Sequence, residues 1–174
     1  MNRWTARALF YPTLVWNLCL SRLLPNWRRY DRIDEHLLVG GLPFASDVPK
    51  FKADGVTAVV NTCEEWAGPR AAYEKAGIEQ LRVPTVDFTH PTLEHVEQAV
   101  GFITKHAEKG GSVLVHCKAG RGRSATVALC YLIAAKHLTP EAALAALTAK
   151  RAQVVQSIAN RPVVREFYAR HAQP

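Results

Sequence analysis

Ser112-Val113-Leu114-Val115-His116-Cys117-Lys118-Ala119-Gly120-Arg121-Gly122-Arg123-Ser124 is the stretch that decides the fold. Its first five residues are a short apolar run, the pattern of a buried strand. From Arg123 to Lys136 the pattern turns to that of a long apolar helix. At the junction stand Cys117 and Arg123, with Gly120 and Gly122 between them. Glycine permits a tight turn whose successive N–H groups point inward, and the helix adds the positive end of its dipole. The loop Lys118, Ala119, Gly120, Arg121, Gly122 and Arg123 therefore reads as a cradle for a phosphate dianion. Arg123 sits where its planar fork can take two phosphate oxygens. The same positive field favours the thiolate of Cys117, the nucleophilic form. Ser124 is placed to donate a hydrogen bond to that sulfur and steady it as a leaving group. A nucleophilic Cys in such a cradle implies covalent phosphoryl transfer to sulfur, then hydrolysis. The Gly-Lys-Ser/Thr ending of nucleotide-binding phosphate loops is absent.

This chemistry needs a proton donor for the leaving oxygen. Asp87 lies in Val83-Pro84-Thr85-Val86-Asp87-Phe88-Thr89-His90-Pro91, just past a predicted strand. Loops at the C-terminal ends of strands in open α/β sheets share one crevice, so Asp87 is the candidate acid. His90 is a rival that reads better as a solvated loop residue. His116 is expected to hydrogen-bond within the loop and fix its shape. Lys118 and Arg121 project from the loop, either enlarging the anion site or serving as surface charge. Glu64 and Glu65 follow the strand ending near Val60 and so could line the same crevice, but they read better as a solvated acidic loop. Cys19, Cys63 and Cys130 lack a phosphate-loop setting and read as ordinary positions.

Working outward, Leu37 to Leu42, Val56 to Val60 and Ile78 to Val83 are further short strand patterns, the last halted by Pro84. Helical patterns cover Ser46 to Ala53, Arg70 to Ala76, Thr92 to about Glu108, a segment starting at Thr139-Pro140-Glu141, and Pro162 to His171. Strands alternating with helices predict an α/β fold, a central, mostly parallel sheet flanked by helices. The strands are apolar runs because both sheet faces are covered.

The 174 residues suit one domain plus a short appendage, and the composition, 48% hydrophobic and 21% charged, excludes a disordered chain. Four Cys without a CxxC pair argue against a disulfide scaffold or a structural zinc site. The net charge is +7, of which residues 1–30 hold +5 with no acidic residue at all. Removing that leader and the three cations of the loop leaves 14 basic against 15 acidic residues, which excludes a broad nucleic-acid-binding face. Residues 1–30 are expected to form a basic, apolar leader and residues 31–174 the catalytic domain. Within the leader, Ala8 to Leu20 is apolar, broken by Pro12 and Asn17, and too short to span a bilayer. The leader is either an organelle-targeting or membrane-surface segment, or a helix packing its apolar face on the domain.

The run His116 to Ser124 resembles the signature of the cysteine-dependent dual-specificity phosphatases, and the Lys118-Ala119 pair resembles their lipid-directed members. Ala8 to Leu14, Tyr30 to Asp34 with Leu37 to Pro43, Glu64-Glu65 and Gly77 to Asp87 resemble the mitochondrial phosphatidylglycerophosphate phosphatases of that superfamily. The resemblance implies the dual-specificity phosphatase fold, Cys117 as nucleophile, Asp87 as general acid and then base, Arg123 as phosphate clamp, Ser124 as an aid to thiolate departure, and no metal or other cofactor. It implies an anionic phospholipid substrate, phosphatidylglycerophosphate, with phosphoproteins or phosphoinositides as the alternative. It implies association with a membrane surface, the matrix side of the mitochondrial inner membrane, or a cytoplasmic or membrane-associated place if the source is bacterial. The chain departs from the family at Trp66-Ala67-Gly68-Pro69 and over Gln153 to Asn160.

Overall fold

The structure is a computed structural model and describes residues 3–24 and 27–171. Five strands form one sheet: β1 (Tyr30–Arg32), β2 (Leu37–Gly40), β3 (Val56–Cys63), β4 (Glu79–Thr85) and β5 (Ser112–His116). Their order is β1-β2-β5-β3-β4, with β1 antiparallel to β2 and every other pairing parallel. The strand opening the decisive stretch, β5, thus lies at the centre, and all five of its residues are buried.

The alternation of side chains along a strand sorts the core into two layers. Leu37, Val39, Ala58, Val60, Val113 and Val115 face α4 (Leu93–Ala107), α5 (Arg123–Lys136), α6 (Pro140–Lys150) and α7 (Pro162–His171). Leu38, Val59 and Leu114 face the opposite way, onto α2 (Val48–Ala53) and α3 (Arg70–Ala76). Thr92 and Thr139 cap α4 and α6 by accepting from the N–H groups of His95 and Ala142. Gly77 ends α3 in the left-handed conformation, φ 65°.

Three boundaries differ from expectation. The Ser46 to Ala53 pattern divides into a 3-10 turn, Ala45–Asp47, followed by α2. Strand β4 passes through Pro84 to Thr85, which pairs with Cys63. It can do so because β4 is an edge strand, where a missing N–H costs no ladder bond. The leader forms one helix, α1 (Arg3–Leu23), running through both Pro12 and Asn17. Thr13 Oγ1 donates to the Leu9 carbonyl, and Asn17 Nδ2 to the Thr13 carbonyl. Phe10 and Leu14 are buried in a small cluster with Leu42, Cys63 and Cys117. That packing offsets the backbone hydrogen bond lost at Pro12.

One buried ion pair ties the far side of the fold to the decisive loop. Arg151, just past α6, is fully buried, and its Nη1 lies 2.5 Å from Asp31 Oδ2 on β1. Its Nε donates to the Gly120 carbonyl at 2.7 Å and its Nη2 to the Ala119 carbonyl at 3.0 Å. Removing one partner of such a pair strands a buried charge, which costs about 3–5 kcal/mol. Asp31→Ala should therefore lower the unfolding free energy by that amount, read as a lower urea midpoint with an unchanged slope. A loss below about 1 kcal/mol would show that the pair carries little of the fold.

Candidate active site

The loop after β5 is held from outside so that its interior stays open. The Cys117 N–H donates to the Gly40 carbonyl at 3.3 Å, and the Leu42 N–H to the Lys118 carbonyl at 3.1 Å. Gly120 turns the chain at φ +69°, and a Cβ there would lie 2.5 Å from both the Gly40 carbonyl carbon and Arg151 Nη2. Only glycine fits on both counts. Arg151 takes the Ala119 and Gly120 carbonyls outward. Arg161 takes the Gly122 carbonyl at 3.3 Å. With these carbonyls turned away, the loop can turn N–H groups inward, and the Gly120 N–H points at Cys117 Sγ, 3.2 Å away. The Ser124 hydroxyl donates to the same sulfur at 3.3 Å from the first turn of α5.

Burial works against a thiolate at Cys117, but the Arg123 charge and the donors from Ser124 and Ala119 outweigh it and bring the pKa down to about 7. Burial pushes the other two buried thiols up: at Cys63 it outweighs the Arg123 charge, and at Cys130 nothing opposes it. His116 is fully buried and held neutral, its pKa pushed down to about 3 by burial. Its Nδ1 sits at a marginal 3.5 Å from the Cys117 carbonyl, while its own carbonyl accepts from Thr62 Oγ1 at 2.9 Å.

Arg123 is 3% exposed and surrounded by acceptors. Its Nη1 reaches Glu65 Oε2 at 2.8 Å and the Thr85 carbonyl at 2.7 Å, and its Nη2 lies 2.9 Å from Asp87 Oδ1. Asp87 Oδ2 accepts from Lys118 Nζ, and the Asp87 N–H donates to Glu65 Oε1 at 2.7 Å. Lys118 Nζ also donates to Thr13 Oγ1 of α1 at 2.6 Å and lies between the rings of Phe10 and Phe88. The next residue, Phe88, has φ 63° and is exposed at the rim.

A family model, the dual specificity phosphatase catalytic domain, matches residues 38–170. This chain belongs to the dual specificity phosphatase family. The phosphatase, a phosphomonoester hydrolase, is 43% identical over 166 residues to the phosphatidylglycerophosphate phosphatase PTPMT1 of Arabidopsis thaliana, covering 94% of this chain and 49% of that protein. It is 44% identical to PTPMT2 of the same plant, covering 92% and 72% respectively. It is 37% identical to the human phosphatidylglycerophosphatase and protein-tyrosine phosphatase 1, covering 94% and 86%. The chain thus spans about half the length of the first plant relative. Among solved structures, that of PTPMT1 superimposes with a TM-score of 0.73 at 35% identity, covering 83% of this chain and 99% of the other. PTPMT1 in complex with PI(5)P gives the same TM-score at 34% identity, covering 82% and 98%. The sheet and its flanking helices are the dual-specificity phosphatase fold expected above.

The phosphatase brings Cys117, Arg123, Ser124 and Asp87 together as the spacing suggested. Two expectations need correction. Glu65 is no solvated loop residue: its side chain is 5% exposed, bridging Arg123 and the Asp87 N–H. Lys118 does not project outward but is folded back, 6% exposed, onto Asp87 and Thr13. The buried Asp87 carboxylate draws its ammonium inward. Arg121 turns along the rim, its Nε donating to the Gln153 carbonyl at 2.9 Å and its guanidinium stacked 4.8 Å above Trp27. His90 is exposed and stands outside the cleft. Arg151, Arg161 and Thr13 went unread in the sequence. Each is distant along the chain, and no local pattern marks it.

The cradle opens into a cleft of about 440 Å³, walled by Trp16 and Leu20 of α1, Trp27, Phe88, Arg121 and Arg161. Site-resolved iodoacetamide labelling tests its electrostatics. Labelling of Cys117 should rise with pH to half its maximum near pH 7, because only the thiolate reacts. Cys63 and Cys130 should stay unlabelled in the folded protein. Ser124→Ala should move the Cys117 midpoint upward. A midpoint above about 8.5, the value of a free thiol, would contradict the stabilising field.

Proposed function

We propose that this phosphatase removes the terminal phosphate of phosphatidylglycerophosphate at a membrane surface, giving phosphatidylglycerol and inorganic phosphate through a phosphocysteine at Cys117. The observation that carries the reading is the continuity between the cradle and α1. Trp16 lines the cleft and is itself 65% exposed, and Trp4, Tyr11, Val15 and Leu23 are exposed on the same helix. These exposed side chains give α1 an apolar outer surface, with Arg22 adding positive charge in its last turn, while Arg7 is paired with Glu64. A helix of this kind lies in a headgroup layer rather than across a bilayer. No helix among the described residues is long and apolar enough to cross a membrane. The relatives named for phosphatidylglycerophosphate and the PTPMT1 structure holding PI(5)P support a phospholipid substrate.

In the first step Cys117 Sγ attacks phosphorus, and the bond from phosphorus to the glycerol oxygen breaks. Asp87 delivers to the departing oxygen, which as an alkoxide leaves poorly, the proton it took from water in the second step of the preceding turnover. The equatorial oxygens gather charge, which Arg123 and the loop N–H groups neutralise without having to reorganise. An incoming phosphate dianion competes with Asp87 for Arg123 and Lys118, which lets the carboxyl turn toward the leaving oxygen. In the second step a water attacks phosphorus while Asp87 takes its proton. The phosphorus–sulfur bond breaks, and the thiolate returns under the hydrogen bond from Ser124. Glu65 keeps Arg123 oriented and fixes the Asp87 backbone.

A substrate panel tests the reading. Wild type should release phosphate from phosphatidylglycerophosphate in vesicles and Cys117→Ser should not. Rapid turnover of phosphotyrosine peptides with none of the lipid would move the assignment to phosphoproteins. Asp87→Asn should slow turnover of alkyl phosphates by about 10²–10⁴, with a smaller loss on p-nitrophenyl phosphate, whose leaving group needs no proton. Equal losses on both esters would remove Asp87 from the acid role.

A further inference from the structure

Two cations on the cleft wall have no anionic partner among the described residues. Among the described residues, no ion pair involves Arg121 or Arg161, although both face the same cavity as Cys117. Arg161 is half-buried. Its Nη1 donates to Thr126 Oγ1 at 2.6 Å and to the Gly122 carbonyl at 3.3 Å, which pins the side chain beside the cradle. Its Nε and Nη2 make no hydrogen bond among the described residues. Burial disfavours its charge, and the compensating influence comes from Cys117, which places the guanidinium within electrostatic reach of the reacting sulfur. Arg121 is held by the Gln153 carbonyl and by the Trp27 ring. A half-buried guanidinium without an anion is a standing cost. Two of them on one wall, each oriented by its neighbours, constitute a preformed anion site.

We propose that Arg161 and Arg121 form a second anion site, which binds the internal phosphodiester of a two-phosphate glycerolipid headgroup while the terminal phosphomonoester occupies the cradle of Cys117 and Arg123. The inference rests on the lipid reading above and deepens it. The substrate class it names carries two phosphates joined by a short polyol. The diester offers two anionic oxygens to a planar fork. Beyond it, Trp27, Trp16 and Leu20 give an apolar path toward the exposed face of α1, where the acyl chains leave. A one-phosphate ester leaves both arginines unpaired, so the site selects by what it fails to satisfy as well as by what it binds.

The experiment compares two soluble alkyl phosphates on the full chain: the deacylated headgroup, glycerophosphoglycerol phosphate, and glycerol phosphate, which lacks the diester. Wild type should prefer the two-phosphate ester. Arg161→Gln should lower kcat/KM for it by about 10- to 100-fold, mainly through KM, the size expected for lost charge-assisted hydrogen bonds. The same variant should lose much less on glycerol phosphate, so the preference collapses. Arg121→Gln should act in the same direction, and Arg161→Lys should recover part of the preference. Equal losses on both esters would overturn the proposal, because that is the signature of an Arg161 that merely holds Gly122 and Thr126. Absence of any wild-type preference for the two-phosphate ester would overturn it as well. Failure of the lipid reading shows separately, as wild type that is inactive on phosphatidylglycerophosphate vesicles but active on the soluble esters.

Discussion

A guanidinium buried to 3% exposure is the constraint around which the rest is arranged. Arg123 must be buried to act at close range on the Cys117 sulfur, and a buried cation is tolerated only when acceptors surround it. Glu65 comes from the end of β3, Thr85 and Asp87 from the end of β4 and the loop beyond, and Cys117 from the end of β5. The parallel pairing of these three strands brings their C-terminal ends to one edge of the sheet. Meeting Arg123's need for anions therefore also delivers a carboxylate and a sulfur to the same cleft. The charge that lowers the thiol to about pH 7 is the charge these acceptors keep in place.

Much of this was legible in the sequence where local pattern and tertiary role coincide. Ser112–His116 and Arg123–Lys136 have the predicted bounds because the strand is buried throughout and the helix from Arg123 to Ile133, so the apolar pattern is uninterrupted up to the helix's last turn. Asp87 could be named because loops at that end of a parallel sheet converge. Glu65 could be placed near the crevice but not in it, because a Glu pair after a strand reads the same whether it faces solvent or a buried arginine 58 residues away. Lys118 read as outward because its partners, Asp87 and Thr13, come from other parts of the chain. Arg151 left no local trace, since its task is to hold loop carbonyls more than thirty residues back. Pro84 and Pro12 misled for one reason. Each was read as a local break, yet an edge strand and a well-packed helix both tolerate a missing N–H.

The leader gains a second meaning from its packing. Phe10 and Leu14 close one side of the Cys117 cluster, Thr13 bonds Lys118, and Trp16 stands both in the cleft and in solvent. In the proposed reaction such a segment would couple the surface on which a lipid arrives to the group that meets its phosphate. The relation also gives the uneven charge of the chain a physical form. Under the proposed function, positive charge on α1 would draw the protein to an anionic surface, and that of the cleft would meet the headgroup.

The central claim is that phosphate passes through sulfur at Cys117. Acid quenching during turnover of phosphatidylglycerophosphate, followed by mass spectrometry of the peptides, tests it most directly. A phosphoryl group on Cys117 is the predicted result, more abundant in Asp87→Asn if release becomes the slower step. Steady turnover with an unmodified Cys117 at every quench time, or with the phosphoryl group on another residue, would contradict the account.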